Sequence, residues 1–321
     1  MVSFEDMLET ARMAVSVCAV VKESEDVLIV TDTNKVKIAD VLATASMESV
    51  AETVVSTMSP REIHGNEPPK TVAAAMKVAD VIFTPTTYSM THTDAMVDAI
   101  GAGARVLILR GITEEMMVEG AMTADYEELR RRSHVVAERL SRSSIVHVTS
   151  EYGTDAELSI EGRQAFVLSG FATEPGTFAA LPDGEVPICP VEGSAEGIIV
   201  FDHTMDGIGL LREPIRLTVE GGHVVEIQGG KEAARLKRIV ETSDKGATNI
   251  AEFAIGTNPE ALLIGNMAED KKLEGSVHIA IGDNHNLGGT VKSSIHLDGL
   301  MVRPSVELDG EVIVKKGKLL I

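Results

Sequence analysis

Residues 278–284 read His-Ile-Ala-Ile-Gly-Asp-Asn, and residues 252–258 repeat the same pattern as Glu-Phe-Ala-Ile-Gly-Thr-Asn. Each segment begins with a polar side chain and then alternates large apolar residues with alanine and glycine. Because successive side chains of a β-strand point to opposite faces, Glu252 and His278 share their faces only with alanine and glycine. The pattern predicts two strands that pack apolar side chains on one face and keep open space beside a polar group on the other.

A third segment, residues 293–298 (Ser-Ser-Ile-His-Leu-Asp), places an imidazole and a carboxylate two residues apart. On a strand, His296 and Asp298 project side by side from one face, while Ile295 and Leu297 face the other way. A solvated strand face is the simplest explanation of such a pair in isolation. The two similar strands upstream favour a metal site instead, because carboxylate and imidazole donors together suit Zn, Co, Mn or Fe.

The second half of the chain reads as short strands separated by glycine-rich turns. Examples are residues 197–201, 215–219 and 224–228, and one clear helix is predicted at about 231–241. Short strands at close spacing with turn signals between them are typical of antiparallel sheets. We therefore expect a β-rich α+β domain over residues 151–321, and we expect this domain to carry the metal site.

The first half alternates strand and helix patterns, which is typical of a parallel sheet covered by helices. Short apolar runs predict strands at residues 27–30, 81–83, 105–109 and 145–148. Helical spacing of apolar residues predicts helices at about 4–18, 36–58, 94–100 and 127–140. The sequence therefore predicts an α/β domain with a parallel sheet over residues 1–150.

Composition restricts the partners and the compartment. The chain of 321 residues has a formal net charge of -20, which argues against binding nucleic acid or an anionic membrane surface. Its two cysteines, Cys18 and Cys189, lie far apart, which excludes a thiolate zinc site and a disulfide scaffold. The first residues lack the basic region of a signal peptide, and no apolar run approaches membrane-spanning length. We therefore expect a cytoplasmic protein with no membrane partner.

Four blocks of sequence, in this order, resemble the aminopeptidase T (M29) family of metallo-aminopeptidases. They are Gly-Glu-Val-Pro at 184–187, Asn-Ile-Ala-Glu at 249–252, Val-His-Ile-Ala-Ile-Gly at 277–282 and His-Leu-Asp at 296–298. Looser similarity extends upstream to residues 88–93, 103–106 and 153–155. The resemblance covers most of the chain and is most specific in the second half.

The resemblance implies a set of five ligands for two divalent ions per chain (Zn, Co, Mn or Fe): Glu185, Glu252, His278, His296 and Asp298. It also implies a homodimer, and a hydrolase that removes N-terminal residues from small peptides with a water activated by the two metals. Either Glu185 or Glu252 would then relay the proton of that water. Two residues are predicted to contact the substrate: His92, in a loop after a predicted strand, and Arg303.

One position departs from that family. Its catalytic tyrosine, seven residues beyond the histidine that matches His278, is replaced here by His285. The chain also resembles the related 2,5-dihydroxypyridine 5,6-dioxygenases, which open an aromatic ring with one Fe(II). In that interpretation His278, His296 and Asp298 form the triad of iron ligands, and His285 acts as an acid or base. The sequence ranks the hydrolase first, because Glu252 is present, and the dioxygenase second. A non-enzymatic protein with structural metals ranks last.

Overall fold

The computed structural model describes residues 2–49 and 52–321 and divides the chain into two compact units. The first unit comprises Met1–Glu127 and Leu168–Asp183, and the second comprises Glu128–Val167 and Gly184–Ile321. The chain therefore leaves the first unit, returns to it once and leaves it again. The predicted boundary near residue 150 falls within Glu128–Val167, a stretch that belongs to the second unit.

The described residues of the first unit form a parallel sheet and four α-helices. Its strands are β1 Asp26–Asp32, β2 Glu52–Met58, β3 Val81–Thr86, β4 Arg105–Arg110 and β7 Phe178–Ala180. Its helices are α1 Phe4–Met13, which continues into a π-helical turn at Ala14–Cys18, α2 Val36–Glu48, α3 Lys70–Met76 and α4 Asp94–Gly101. The strand order is β2-β1-β3-β4-β7, and every adjacent pair is parallel. The predicted α/β layer with a parallel sheet is therefore confirmed.

The helix predicted over residues 36–58 is too long. Helix α2 ends at Glu48, and β2 begins at Glu52 and pairs in parallel with β1 as the edge strand of the sheet. Positions 50 and 51 of this prediction lie outside the described residues. The segment 52–58 is rich in β-branched threonine and valine, whose restricted side chains fit a strand better than a helix.

The second unit contains two antiparallel sheets. The strands of the larger sheet are β5 Ile145–Thr149, β6 Asp155–Ser159, β9 Glu196–Phe201, β12 Ile215–Glu220, β13 His223–Gln228, β17 Ser305–Leu308, β18 Glu311–Lys315 and β19 Lys318–Leu319. Their order is β13-β12-β9-β6-β5-β17-β18-β19. The prediction that residues 145–148 continue the parallel sheet is wrong, because β5 pairs antiparallel with β6 and β17. Its alternating burial is typical of such a strand, which has one face on the core.

The strands of the smaller sheet are β8 Glu185–Ile188, β10 Thr204–Met205, β11 Gly209–Leu210, β14 Ile250–Gly256, β15 Val277–Gly282 and β16 His296–Met301. Their order is β11-β10-β16-β15-β14-β8. Apolar side chains of β14 and β15, among them Phe253 and Ile279, join one hydrophobic core with Phe201 and Leu217 of the larger sheet. The two sheets of this unit therefore pack face to face, and the opposite face of the smaller sheet is left for polar side chains. The predicted β-rich second part of the chain is confirmed.

The second unit also holds α5, α6 Lys231–Thr242 and the short helix α7 Met267–Asp270. Helix α5, Tyr126–Arg142, begins at the end of the first unit and runs into the second. Turns of 3-10 helix occur at Ala121–Thr123, Lys245–Thr248 and His285–Leu287. Across residues 2–49 and 52–321, no helix combines the length and the apolar character that crossing a membrane requires.

Candidate metal centre

Four neighbouring strands of the smaller sheet, β16, β15, β14 and β8, carry the predicted ligands on the face opposite the core. The register pairs Asp298 with Ala280 and Ala280 with Glu252, so one alanine separates the two carboxylates across the sheet. His278 pairs with an alanine of β14 in the same way. Because directly opposed residues of antiparallel strands point to the same face, the small side chains let these polar groups approach one another.

The glycines on this face serve a different purpose from the one predicted. A Cβ atom at Gly256 would lie 2.1 Å from the carbonyl oxygen of Leu273, and one at Gly282 would lie 2.0 Å from that of Ile295. The backbone of a neighbouring segment therefore fills the space that the sequence predicted to be open. Glycine is needed at both positions because a passing chain comes too close for any side chain.

The His-Leu-Asp segment is positioned by this close approach. Strand β16 begins at His296, so the strand predicted from Ser293 is three residues too long at its start. Before it, the carbonyl of Ile295 accepts a hydrogen bond of 2.8 Å from the backbone N–H of Asp283. The carbonyl of Asp283 in turn lies 2.7 Å from Nδ1 of His296. This contact fixes the ring and directs Nε2 of His296 toward the carboxylates, as backbone partners commonly do for metal-binding histidines.

Three side chains form a compact group that could hold a metal ion: Glu252, His296 and Asp298 each offer a donor atom, and these atoms lie within 4.8 Å of one another. Nε2 of His296 is 3.1 Å from Oε2 of Glu252 and 3.3 Å from Oδ1 of Asp298. The group differs from the predicted iron triad because it contains Glu252 in place of His278.

The other two predicted ligands lie directly beside this group. Nε2 of His278 is 3.1 Å from Oε1 of Glu252 and 3.5 Å from Oε2 of Glu185. Glu252 therefore lies between two imidazoles, with one oxygen toward each. The structure brings together all five side chains that the sequence singled out.

Two lysines that the sequence did not single out complete the cluster. Nζ of Lys271 lies 2.9 Å from Oδ2 of Asp298 and 3.2 Å from Oε1 of Glu185, and Nζ of Lys272 lies 2.8 Å from the same Oε1. Glu269-Asp270-Lys271-Lys272 reads as a solvated charged run, yet Asp270 is fully buried and Lys272 is only 3% exposed. No local pattern indicates this burial, since it arises from the fold around the sheet.

The acidic groups of the cluster are held in their ionised form. Burial raises the pKa of Glu252, but hydrogen bonds from His278 and His296 outweigh it and lower the pKa to about 2. Burial likewise raises the pKa of Asp298, and the charge of Lys271 brings it well below its usual range. Burial raises the pKa of Glu185, and the charges of Lys271 and Lys272 reverse that shift.

The basic groups are shifted in the opposite sense. Burial lowers the pKa of His296, but Asp298 and Glu252 raise it well above its usual value. Burial lowers the pKa of Lys271, and Asp298 and Glu185 raise it well above its usual value. Since metal ligands must be deprotonated, a cation that bound here would have to displace the proton of His296.

Buried polar atoms test whether the cluster suits a metal ion. Oδ1 of Asp298, Oε2 of Glu185 and Nδ1 of His278 are buried and make no hydrogen bond with the described residues. The two oxygens have ion-pair contacts with imidazoles, at 3.3 Å to His296 and 3.5 Å to His278. A buried polar atom without a partner is unfavourable by about 1–3 kcal/mol, and a bound cation would remove this deficit for the carboxylate oxygens. Mixed oxygen and nitrogen donors also match the chemistry of Zn, Mn and Fe. The residues present therefore fit a divalent metal ion.

The remaining predicted site residues lie on the surface. His285 is exposed in the 3-10 turn His285–Leu287, and its backbone N–H donates a hydrogen bond of 3.1 Å to Oδ1 of Asp283. Arg303 is exposed in the turn between β16 and β17, and His92 is exposed in the turn before α4 of the first unit. Their roles in catalysis or substrate binding stay predictions.

Glu192 anchors the loop that carries His285. Its Oε1 accepts hydrogen bonds from Nδ2 of Asn284 at 3.0 Å and from the N–H of Thr290 at 2.7 Å, and its Oε2 pairs with Arg163. Burial raises the pKa of Glu192, but these hydrogen bonds outweigh it and lower the pKa to about 2. The carboxylate thus ties both ends of the loop 284–290 to the second unit.

We expect Glu192→Gln to lower the free energy of unfolding by about 1–3 kcal/mol at neutral pH, because the loop loses charge-assisted hydrogen bonds. A lowered pKa stabilises the folded state above the ordinary pKa of glutamate, about 4.3, and this contribution disappears as the pH falls toward 2. The difference between wild type and variant should therefore shrink in that range. Urea unfolding at several pH values measures it. Glu241→Gln, at an exposed ion pair on α6, is the control, and equal effects of the two changes would contradict the anchoring role.

Comparison of the sequence with known proteins places the chain in a superfamily that includes aminopeptidase T-like proteins, as the sequence resemblance indicated. The chain belongs to the 2,5-dihydroxypyridine 5,6-dioxygenase (NicX) family, whose family model matches residues 6–321. The 2,5-dihydroxypyridine 5,6-dioxygenase of Pseudomonas putida KT2440 is 26% identical over 256 residues, which cover 76% of this chain and 71% of that protein. Aminopeptidase T of Thermus aquaticus is 24% identical over 307 residues, covering 84% and 74%.

Solved structures agree on the fold. The 2,5-dihydroxypyridine dioxygenase of Pseudomonas putida KT2440 superposes with a TM-score of 0.84 at 20% identity, covering 100% of this chain and 98% of that chain. AmpT from Thermus thermophilus superposes with a TM-score of 0.75 at 17% identity, covering 99% of both chains. The relatives of this chain thus include both an oxygenase and an aminopeptidase on one fold.

Proposed function

We propose that this protein is a metal-dependent dioxygenase that opens the ring of a small dihydroxylated nitrogen heteroaromatic. This proposal rests on the compact group of Glu252, His296 and Asp298, whose donor atoms lie within 4.8 Å of one another. The family model and the oxygenase relative support it. This order reverses the ranking from sequence, which placed the hydrolase first.

Glu252, His296 and Asp298 would hold the ion, with His278 next to Glu252 as a further donor. Iron in the ferrous state, when bound, supplies the redox chemistry that ring opening by oxygen requires. The contact of Nδ1 with the carbonyl of Asp283 leaves Nε2 of His296 free to serve as the donor that would hold the ion. Lys271 balances the charge of the carboxylates that surround it.

Exposure indicates where a substrate would reach this group. The side chain of His296 is 34% exposed, whereas those of Glu252 and Asp298 are 7% and 4% exposed and that of His278 is fully buried. A small planar molecule would therefore approach from the side of His296. The opposite side is closed by Lys271 and Lys272 on Glu185.

One observation favours a second function, the two-metal aminopeptidase. Glu185 and His278 add a carboxylate and an imidazole beside the compact group, with Oε2 and Nε2 only 3.5 Å apart. Five donors on one sheet face could serve two ions that activate a water for peptide hydrolysis. The aminopeptidase T relative supports this alternative.

Loading the metal-free protein with different ions separates the two functions. Protein reconstituted anaerobically with Fe(II) is expected to consume oxygen when 2,5-dihydroxypyridine and oxygen are added. The absorbance of the ring should disappear at the same rate as the oxygen. Protein loaded with Zn(II) or Co(II) is expected to leave aminoacyl substrates intact. Hydrolysis of aminoacyl substrates by the Zn(II) or Co(II) protein, without oxygen uptake by the Fe(II) protein, would overturn the proposal. The homodimer and the cytoplasmic location stay predictions.

A further inference from the structure

We propose that the ammonium group of Lys271 takes the place of a second divalent ion and is the residue that limits this site to the single ion of the proposed function. The inference rests on the proposed metal site and names the residue that sets its stoichiometry. Lys271 follows α7 in the loop before β15 and is absent from the set of residues that the sequence motifs pointed to.

Lys271 contacts the carboxylates that a second ion would need as ligands. Beyond the compact group, Glu185 is the one additional carboxylate among the five clustered side chains, so a second ion would depend on it. Nζ of Lys271 lies within hydrogen-bond distance of both Glu185 and Asp298, at 3.2 Å and 2.9 Å. An ammonium group that contacts both carboxylates already occupies the space between them.

The charges of the cluster lead to the same conclusion. Glu185, Glu252 and Asp298 bring three negative charges, and Lys271 and Lys272 bring two positive ones. With neutral histidines the cluster has one net negative charge, and one divalent ion makes it positive. A second divalent ion would add two more positive charges beside the Lys271 ammonium group, whose side chain is only 16% exposed and which is held by Glu185 and Asp298.

Lys271 thus explains why a set of five donors need not imply two metals. The side chains that could serve a second ion are present, but the charge of Glu185 is already balanced from within the protein. Lys272, at 2.8 Å from the same oxygen of Glu185, reinforces this balance. Lys271 is therefore a residue that determines metal number and does not itself bind the ion.

Metal counting on wild type and Lys271→Met tests the inference. Methionine retains a flexible apolar chain of similar length and removes the charge. Each protein is stripped of metal, incubated with excess Zn(II), freed of unbound ion by gel filtration and analysed by mass spectrometry of the metal. We expect close to one ion per chain in wild type and close to two in Lys271→Met. Lys271→Arg, which retains the charge, should stay at one.

Two control measurements keep the result interpretable. Lys237→Met, at an exposed ion pair on α6, should match wild type, and circular dichroism should show that every variant is folded. Two ions in wild type, or one ion in a folded Lys271→Met, would overturn the role of Lys271 while leaving the metal site intact. If Lys271→Met does not fold, the wild-type count and Lys271→Arg decide. No bound metal in wild type would overturn this inference and the proposed function together.

Discussion

Replacing His296 with alanine is expected to lower metal affinity by at least about a hundredfold and to abolish metal-dependent turnover. Changes to residues that merely support a ligand already weaken metal binding by about 10–100-fold, and His296 is the only nitrogen donor of the compact group. The substitution also leaves Glu252 and Asp298 facing each other without the imidazole that lies between them, at 3.1 Å and 3.3 Å. Metal analysis after dialysis, together with oxygen uptake by the Fe(II)-loaded protein, measures both effects.

The control for this change is His134→Ala, at an exposed position of α5 in the same unit. It should retain the metal content and the activity of wild type. Full metal occupancy in His296→Ala would show that the ion binds elsewhere. Loss of metal in both variants would indicate a general loss of folding and not the loss of a ligand.

Replacing Gly282 with alanine is expected to destabilise the second unit by about 3 kcal/mol or more, in the range that only strongly disruptive substitutions reach. The new Cβ would lie 2.0 Å from the carbonyl oxygen of Ile295, and the backbone of Gly282 has a φ of +112°, which L-residues rarely adopt. Because Gly282 pairs directly with His296, relief of the clash would move the start of β16 and with it the imidazole. We expect a lower melting temperature and weaker metal binding in the same variant.

Gly101→Ala provides the matched control for Gly282→Ala. Gly101 is the last residue of α4, and a Cβ atom there would meet nothing within 4 Å. Since alanine favours helices more than glycine does, this change should be neutral or slightly stabilising. A Gly282→Ala protein that has the melting temperature of wild type and retains its metal would contradict the close packing of Ile295 against this strand.

The alternation of polar and apolar residues in β14 and β15 predicts their two faces because a strand has a strict period of two. The same rule identifies Glu252, His278, His296 and Asp298 as groups that share a sheet face. The prediction of one helix over residues 36–58 is wrong because the helical spacing of apolar residues continues past Glu48. The chain changes there from a helix to a strand that is rich in β-branched residues. Local periodicity does not record such a change when the strand lies exposed at a sheet edge.

Long-range packing explains what the sequence could not show. Lys271 and Lys272 lie in a charged run, and only the contacts with Glu185 and Asp298, far away along the chain, reveal their position. The open space predicted beside Gly256 and Gly282 is filled by the segments around Leu273 and Ile295 for the same reason. Motifs thus predict which residues meet, whereas the charge balance among them depends on residues outside the motifs.

The location of iron in crystals grown anaerobically with Fe(II) tests the central claim most directly. An anomalous difference map collected at the iron absorption edge is expected to show one peak per chain, within coordination distance of Glu252, His296 and Asp298. The peak should be absent from crystals of His296→Ala. A peak away from these three residues, or no peak in fully loaded crystals, would contradict the metal centre. Two peaks per chain would retain the centre and contradict the role of Lys271.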